Sequence, residues 1–281
     1  MNKFICNNYE HSSLDMSNIN SLSIGNVMDL HQDANNIAKL AIKEKVSKND
    51  IWVKLPFCST LEGELLGANT SLTLQGAKIK DYSFKSIEEI PKILNLNSSR
   101  MNCLSDAMKL LNNENIIYNI EGPFTILSCL VDSTVIFKAI RKEKEEFNSL
   151  LSFLEDFIVE YGTLVYNNGA KILSFGDPVA TIDIIGPNIF NNIYKNSCIK
   201  ILKRLSENCP NAIIHLCGKL SQNLIYTDSV KVDTFEFPET LTYGESLIKY
   251  KDLNPKNQII GYMCINRTNT NYNHVHPINL K

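Results

Sequence analysis

Short β-rich runs alternate with longer helical patterns along most of this chain of 281 residues, and this alternation limits the fold more than any other feature. Continuous apolar stretches rather than strict alternation are typical of strands covered on both faces. The order βαβαβ therefore predicts an α/β fold with a parallel sheet. Six runs are fewer than the eight strands of a (β/α)8 barrel, so the pattern leaves open whether the sheet closes. The runs are residues 50–57, 115–124, 170–177, 212–218, 229–237 and 258–265.

The clearest helix lies between the second and third runs. From Phe147 to Val165, apolar residues recur at steps that place them on one core-facing stripe. Gly169 follows as a C-cap, because glycine adopts the left-handed backbone that ends many helices. A further helix is predicted over residues 190–205.

The first fifty residues are polar except for one amphipathic segment. Residues 33–46 place Ile37, Leu40 and Ala41 on one helical face, so residues 1–49 are expected to form an N-terminal helical extension. No repeat and no linker rich in Pro, Gly or Ser divides the chain. Residues 1–281 are therefore expected to form a single domain.

The charge balance and the absence of long apolar runs exclude several classes of partner. Twenty-eight basic and thirty acidic residues give a net charge of −2, which provides no basic footprint for nucleic acid and no polybasic membrane anchor. No apolar run is long enough to span a bilayer, and residues 1–13 lack the apolar core of a secretory signal. A cytoplasmic protein is expected, in which the eight cysteines are more suited to metal binding or nucleophilic chemistry than to disulfides.

Several predicted strands end in polar residues, which is where parallel α/β folds build their sites. Glu62 follows the first run, Glu121 ends the second and Asp177 ends the third. These three acids are the candidate catalytic residues, since each could accept a proton or orient a substrate. Each also has a structural interpretation, because an Asp-Pro turn or an acid beside a Gly-Pro turn can simply cap a strand.

His215 and Cys217 form the sharpest pair of candidate ligands. Residues i and i+2 of a strand point to the same side, so the imidazole and the thiol can converge on one ion. Zinc accepts mixed nitrogen and sulfur ligands, and a catalytic zinc needs three of them plus an open position. Cys264, near the end of the last run, is the candidate third ligand, and Cys58 is less favoured. The competing interpretation is that a buried cysteine is a small hydrophobe and a buried histidine a hydrogen-bonded core residue.

The remaining cysteines and histidines are assigned to packing or to the terminus. His274 and His276 form an H-x-H pair that could bind metal, but the polar C-terminal tail is expected to be disordered. Core or surface filling is predicted for the other five cysteines, which are Cys6, Cys103, Cys129, Cys198 and Cys209.

At the same residues the sequence resembles the uroporphyrinogen decarboxylase superfamily. Within it, the resemblance is to the corrinoid-dependent branch typified by methylcobamide:coenzyme M methyltransferases. The matching stretches are residues 55–68, 121–127, 167–190 and 212–221, and GDPVA and HLCG are the most specific blocks. The resemblance implies a TIM (β/α)8-type barrel and a zinc ion bound by His215, Cys217 and a later cysteine, here Cys264.

The activity that the resemblance implies is methyl transfer. In this branch, zinc holds a small thiol acceptor as a thiolate, which attacks the methyl group of a methylcobamide carried by a partner corrinoid protein. Coordination deprotonates a thiol, and the thiolate is the nucleophile. The alternative is a non-catalytic relative that binds a corrinoid protein or a tetrapyrrole.

Two departures from the superfamily pattern matter. The decarboxylases of this superfamily carry an arginine-rich N-terminal motif that binds the porphyrinogen carboxylates. This chain lacks the motif and has only four arginines. The low number of arginines argues against uroporphyrinogen decarboxylase activity. The interval from His215 to Cys264 is also short for the methyltransferases, so the barrel is expected to be shortened at its C-terminus. Glu236, Asp177 or Cys58 could then replace Cys264 as a ligand.

Overall fold

The computed structural model describes residues 14–22, 26–256 and 258–281, so the prediction for Cys6 lies outside the described residues. The described strands are β1 (Trp52–Leu55), β2 (Asn69–Thr73), β3 (Gly76–Asp81), β4 (Asn115–Glu121), β5 (Ala170–Gly176), β6 (Ile213–Leu216), β7 (Val230–Val232), β8 (Phe235–Glu236), β9 (Ile259–Ile260), β10 (His274–Val275) and β11 (Ile278–Leu280). The described helices are α1 (Met16–Asn20), α2 (Val27–Gln32), α3 (Ala34–Ser47), α4 (Leu61–Leu65), α5 (Ser99–Leu110), α6 (Pro123–Leu130), α7 (Ser133–Lys142), α8 (Lys144–Asn167), α9 (Ile182–Ile189), α10 (Lys195–Asn208), α11 (Gly218–Tyr226) and α12 (Tyr243–Leu253).

Five parallel strands form the central sheet, in the order β1-β4-β5-β6-β9. The predicted α/β class and parallel sheet are confirmed. Within the described ranges, β1 and β9 are the two edges of this sheet and are not hydrogen-bonded to each other. The described strands are consistent with the expected barrel-type α/β fold, and they do not show a closed barrel.

The two faces of the sheet carry different chemistry. One face is covered by helices, and residues such as Leu173, Phe175 and Ile214 pack there in the main hydrophobic core. On the other face, Ile172 and Ile213 belong to a second apolar cluster at the beginning of the strands. Since side chains alternate along a strand, the residues that follow at steps of two share this inner face. The inner face is thus apolar at its base and polar toward the carboxyl ends of the strands.

A set of side-chain contacts, which we call the seam, bridges the open side of the sheet beside β1. The indole Nε1 of Trp52 donates to the carbonyl oxygen of Gly244 at 3.2 Å. The hydroxyl of Thr268 donates to Asp50 at 2.5 Å, and the ammonium group of Lys54 lies 2.9 Å from Asp50. The seam joins the start of the chain's first strand to the segment around residues 244–268.

Most helix predictions are confirmed, with one irregularity. The stripe from Phe147 to Val165 lies in α8, and Gly169 follows that helix with a φ of 105°. The predicted helix over 190–205 begins as a π-helical turn, Phe190–Tyr194, before α10. The predicted amphipathic segment is α3, whose Ile37 and Ala41 belong to the main core.

Three local expectations differ from the structure. The run 229–237 does not join the parallel sheet but forms β7 and β8, which pair antiparallel with β11 and β10. The tail that carries His274 and His276 is ordered in these strands, because Val275 and Ile278 are buried and tie it down. The hairpin of β2 and β3 was not predicted, since its polar residues give no strand signal.

No single helix in the described residues is long and apolar enough to cross a membrane. Among these helices, only the bent pair α6 and α7, taken together, reaches the length and apolar composition of a broken membrane span. The two helices meet at 118°, and α6 is almost entirely buried in the protein core.

We expect Trp52→Phe to destabilise the protein by about 2 kcal/mol, because the hydrogen bond across the seam is lost and the smaller ring leaves buried space. Urea denaturation followed by far-ultraviolet circular dichroism measures the change. Tyr226→Phe is the matched control, since that ring is 79% exposed and should shift the free energy of unfolding by less than about 0.5 kcal/mol. Equal stabilities of the two variants would show that the seam does not hold the sheet.

Candidate functional site

A cavity of about 620 Å³ lies over the inner face of the sheet. Its wall includes Lys54 of β1, Asn119 and Glu121 of β4, Ser174 of β5 and Cys217 after β6. These residues sit at steps of two along neighbouring strands, which is why their side chains reach one space. A volume of this size suits a small organic molecule.

His215 lies beneath the cavity rather than on its wall. The side chain is fully buried, and its Nε2 is 3.1 Å from the hydroxyl of Tyr243 in α12. Its Nδ1 has no hydrogen-bond partner. Burial lowers the pKa of His215 to about 3, so the imidazole is neutral and one nitrogen keeps a lone pair.

Cys217 and Cys264 both line the cavity. Cys217 precedes α11, and burial raises the pKa of its thiol, while the N–H groups of Leu220 and Lys219 in the first turn of that helix act in the opposite direction. The nearby Cys264 adds to the increase, which places the two sulfur atoms within electrostatic reach of each other. None of the seven cysteines in the described ranges forms a disulfide.

These three side chains do not form a closed ligand cage. Within residues 14–22, 26–256 and 258–281, no group of three His, Cys, Asp or Glu side chains is close enough together to hold a metal ion. The donor set nevertheless suits zinc in its chemistry, since it combines a neutral imidazole that has an unpartnered nitrogen with two thiols. The contact between Nε2 and Tyr243 is the kind of outer partner that orients a ligating histidine.

Glu121 and Glu62 form a pair of carboxylates in which only one faces the cavity. The Oε1 atom of Glu62 accepts a hydrogen bond from the backbone N–H of Glu121 at 3.0 Å, and its Oε2 is buried without a partner. Burial raises the pKa of Glu62 to about 7. Burial, followed by repulsion from Glu62 and Asp177, raises the pKa of Glu121 well above its usual range. The pair therefore retains a proton at pH values where isolated carboxyl groups have lost theirs.

Asp177 occupies a different position from the one its strand-end location suggested. Its Oδ2 accepts from the backbone N–H of Phe124 at 3.0 Å, and its Oδ1 accepts from the N–H and hydroxyl of Thr125 at 2.9 and 2.7 Å. The carboxylate thus caps the first turn of α6 and does not line the cavity. A Cβ on Gly122 would lie 2.4 Å from this carboxylate, so the contact requires glycine there. Burial raises the pKa of Asp177 to about 6, against those hydrogen bonds.

The alternative ligands named from the sequence are separated in the structure. Cys58 lines the cavity, but its sulfur accepts a hydrogen bond from Nη2 of the buried Arg100 at 2.7 Å. Arg100 also pairs with Glu64. Glu236 is exposed on β8, 3.5 Å from His274, and lies outside the cavity wall.

Sequence reasoning missed Lys54, Asn119 and Ser174. Each lies at an inward position of its strand, two residues after an apolar inner-face residue, so a count of alternate positions would have found them. The contact between Arg100 and Cys58 gave no signal, because the two residues are distant in the sequence and no spacing rule links them.

Comparisons with known proteins give a consistent set of relatives. The chain is 27% identical over 215 residues to the methylcobamide:CoM methyltransferase MtbA of Methanosarcina mazei, a match that covers 73% of this chain and 63% of that protein. It is 26% identical over 214 residues to MtaA of Methanosarcina barkeri, covering 71% and 60%. The chain thus spans less than two thirds of the length of these relatives.

A solved structure shares the fold. It is a methyltransferase from Methanosarcina mazei, with a TM-score of 0.66 and 19% sequence identity over 81% of this chain and 68% of that one. The family model described as uroporphyrinogen decarboxylase (URO-D) matches residues 17–263. Since that match covers most of the chain, and the named relatives are corrinoid methyltransferases, the chain belongs to the uroporphyrinogen decarboxylase family and is similar to its methylcobamide:CoM methyltransferase branch.

Proposed function

We propose that this chain transfers a methyl group from a methylated corrinoid protein to a small thiol acceptor, and that residues 1–281 form one barrel-type domain for this reaction. The observation that carries the proposal is the cavity wall, where Cys217 and Cys264 lie above a neutral His215 that has an unpartnered nitrogen. The names of MtbA and MtaA support it, since both act with methylcobamide and CoM.

His215, Cys217 and Cys264 would hold a zinc ion. When bound, zinc would lower the pKa of a coordinated thiol and keep it as a thiolate at neutral pH. The N–H groups at the start of α11 favour the thiolate form of Cys217, as a metal ligand requires. Tyr243 would fix the imidazole of His215 through the contact at Nε2.

In the reaction, the acceptor sulfur forms a bond to the methyl carbon while the bond between that carbon and cobalt breaks. The electron pair of the broken bond stays on the corrinoid of the partner protein. The cavity wall orients the acceptor for this displacement and excludes water around it. Asp177 acts as a positioning residue, because it fixes the strand end next to Gly176 and Pro178, both of which line the cavity.

Glu121 is the group on the cavity wall that can take the proton of the acceptor thiol. Only the ionised form of Glu121 can accept this proton, and burial together with the neighbouring carboxyl of Glu62 raises the pKa of Glu121, so we expect this role to require a pH at which the pair has lost its proton. The same wall argues against porphyrinogen decarboxylation, since no arginine in the described residues lines the cavity to bind several carboxylates.

We predict that the protein purified in the presence of zinc holds about one zinc ion per chain. We expect His215→Ala, Cys217→Ser and Cys264→Ser each to reduce the zinc content to about a tenth or less, because removing any one of three ligands strongly weakens metal binding. Elemental analysis by mass spectrometry measures the metal. Cys103→Ser is the matched control, since that half-buried thiol lies on α5, away from the cavity wall.

Activity is measured separately, as loss of the methyl–cobalt absorbance of free methylcobalamin with 2-mercaptoethanesulfonate or homocysteine. We expect turnover in the wild type and in Cys103→Ser, and none in the three ligand variants. Retention of zinc by all three ligand variants would refute the metal site. Bound zinc without turnover for any thiol would refute the enzyme and favour a non-catalytic relative.

We also predict that the titration of Glu62 lowers the free energy of unfolding as the pH rises from about 4.5 to about 7. The pKa of Glu62 is about 7 in the folded protein against an ordinary 4.5, so the folded state binds the proton more tightly and loses that stabilisation as the pH increases. A shift of this size corresponds to about 3 kcal/mol. Urea denaturation at a series of pH values gives the slope.

Glu62→Gln should flatten this slope, while Glu145→Gln, at an exposed position on α8, should leave it unchanged. The slope is the quantity compared, because an amide at the buried position also changes the absolute stability. Equal slopes in the wild type and in Glu62→Gln would contradict the protonated state of the pair.

A further inference from the structure

A second cavity, of about 660 Å³, lies on the helical side of the sheet and shares no lining residue with the first. We call it the outer groove. It lies between the end of α7, the start of α8 and the segment from α9 to the π-helical turn. Its apolar wall is formed by Phe137, Ile140, Phe147, Ile189 and Ile193.

The outer groove also carries two cations without a counterion. Arg141 and Lys144 line it, and neither forms an ion pair within the described part of the chain. The neighbouring acids are engaged elsewhere, since Glu143 lies 2.9 Å from Lys138 and Glu146 lies 2.5 Å from Lys92. Arg141 uses its Nε to donate to the carbonyl of Phe137 at 3.3 Å, which leaves the rest of its guanidinium for a ligand.

The opposite wall is shaped by an interrupted helix. Gly186, with a φ of 77° and a ψ of 157°, and Pro187 break α9, and the chain continues through the π-helical turn Phe190–Tyr194. Such turns are rare and are frequent at functional sites. Asn188 and Asn192, which bond to each other at 2.6 Å, add amide groups to the rim.

We propose that the outer groove is a binding site for an amphipathic anion, a small molecule with one carboxylate or sulfonate attached to an aryl or acyl body. The apolar wall would bury the hydrocarbon, and Arg141 and Lys144 would pair with the charge. An inorganic anion would leave the apolar wall exposed, and a neutral hydrocarbon would leave both cations unpaired. The volume is in the range of small-molecule sites.

The experiment titrates the full chain with 8-anilinonaphthalene-1-sulfonate and follows the fluorescence of the dye. Decanoate, decanol and inorganic phosphate serve as competitors. The test variant is Arg141→Met with Lys144→Met, both at exposed positions, so folding is not at risk. The matched control is Lys142→Met, an exposed cation that is adjacent in sequence but does not line the outer groove. Lys78→Met, at an exposed position on the wall of the inner cavity, controls for binding there.

We expect saturable one-to-one binding that decanoate displaces and that decanol and phosphate do not. The double variant should bind at least roughly tenfold more weakly, because two charge-assisted contacts are lost, and each control should stay within about twofold of the wild type. The proposal is overturned if the double variant binds like the wild type, if Lys78→Met loses binding, if phosphate or decanol competes as well as decanoate, or if no saturable binding is seen. None of these outcomes depends on methyl transfer.

Discussion

The carboxylate of Asp177 at the N-terminus of α6 is the contact on which the geometry of the cavity depends. It joins the end of β5 to the helix that follows β4, so two neighbouring strand ends are held at one height. The helix dipole and the unpaired N–H groups of the first turn favour an anion at this point. Gly122 lets the two segments approach, since any side chain there would meet the carboxylate. The positions of Glu121, Gly176 and Pro178 on the cavity wall follow from this junction.

Much of the fold could be predicted from the sequence because hydrophobic patterning records burial. The continuous apolar runs became the strands of a parallel sheet, and the stripe from Phe147 to Val165 became the longest described helix. The run 229–237 was wrongly assigned to the parallel sheet, because short strands outside that sheet have a similar composition. Its position is decided by tertiary pairing with β10 and β11, which local sequence does not record. The ordered tail was missed because its few apolar residues are anchored by distant partners.

The candidate site was predictable to the extent that it follows strand periodicity. His215 and Cys217 share a face as the spacing of two requires, yet one lies beneath the cavity and the other on its wall, because each step of two also moves along the strand. The capping role of Asp177 could not be distinguished from a catalytic one, since both place an acid at a strand end. Contacts such as Arg100 with Cys58 depend on chain reversals that no local rule describes.

The seam has a consequence for how this protein can be observed. Trp52 is the only tryptophan in the sequence, and its indole is buried against Gly244, where the open side of the sheet is bridged. Indole emission responds to the polarity around the ring and to its hydrogen bond. The natural chain therefore carries a single indole, at the point where β1 meets the segment around residue 244. When this indole is excited selectively, its emission wavelength reports whether those two parts are joined.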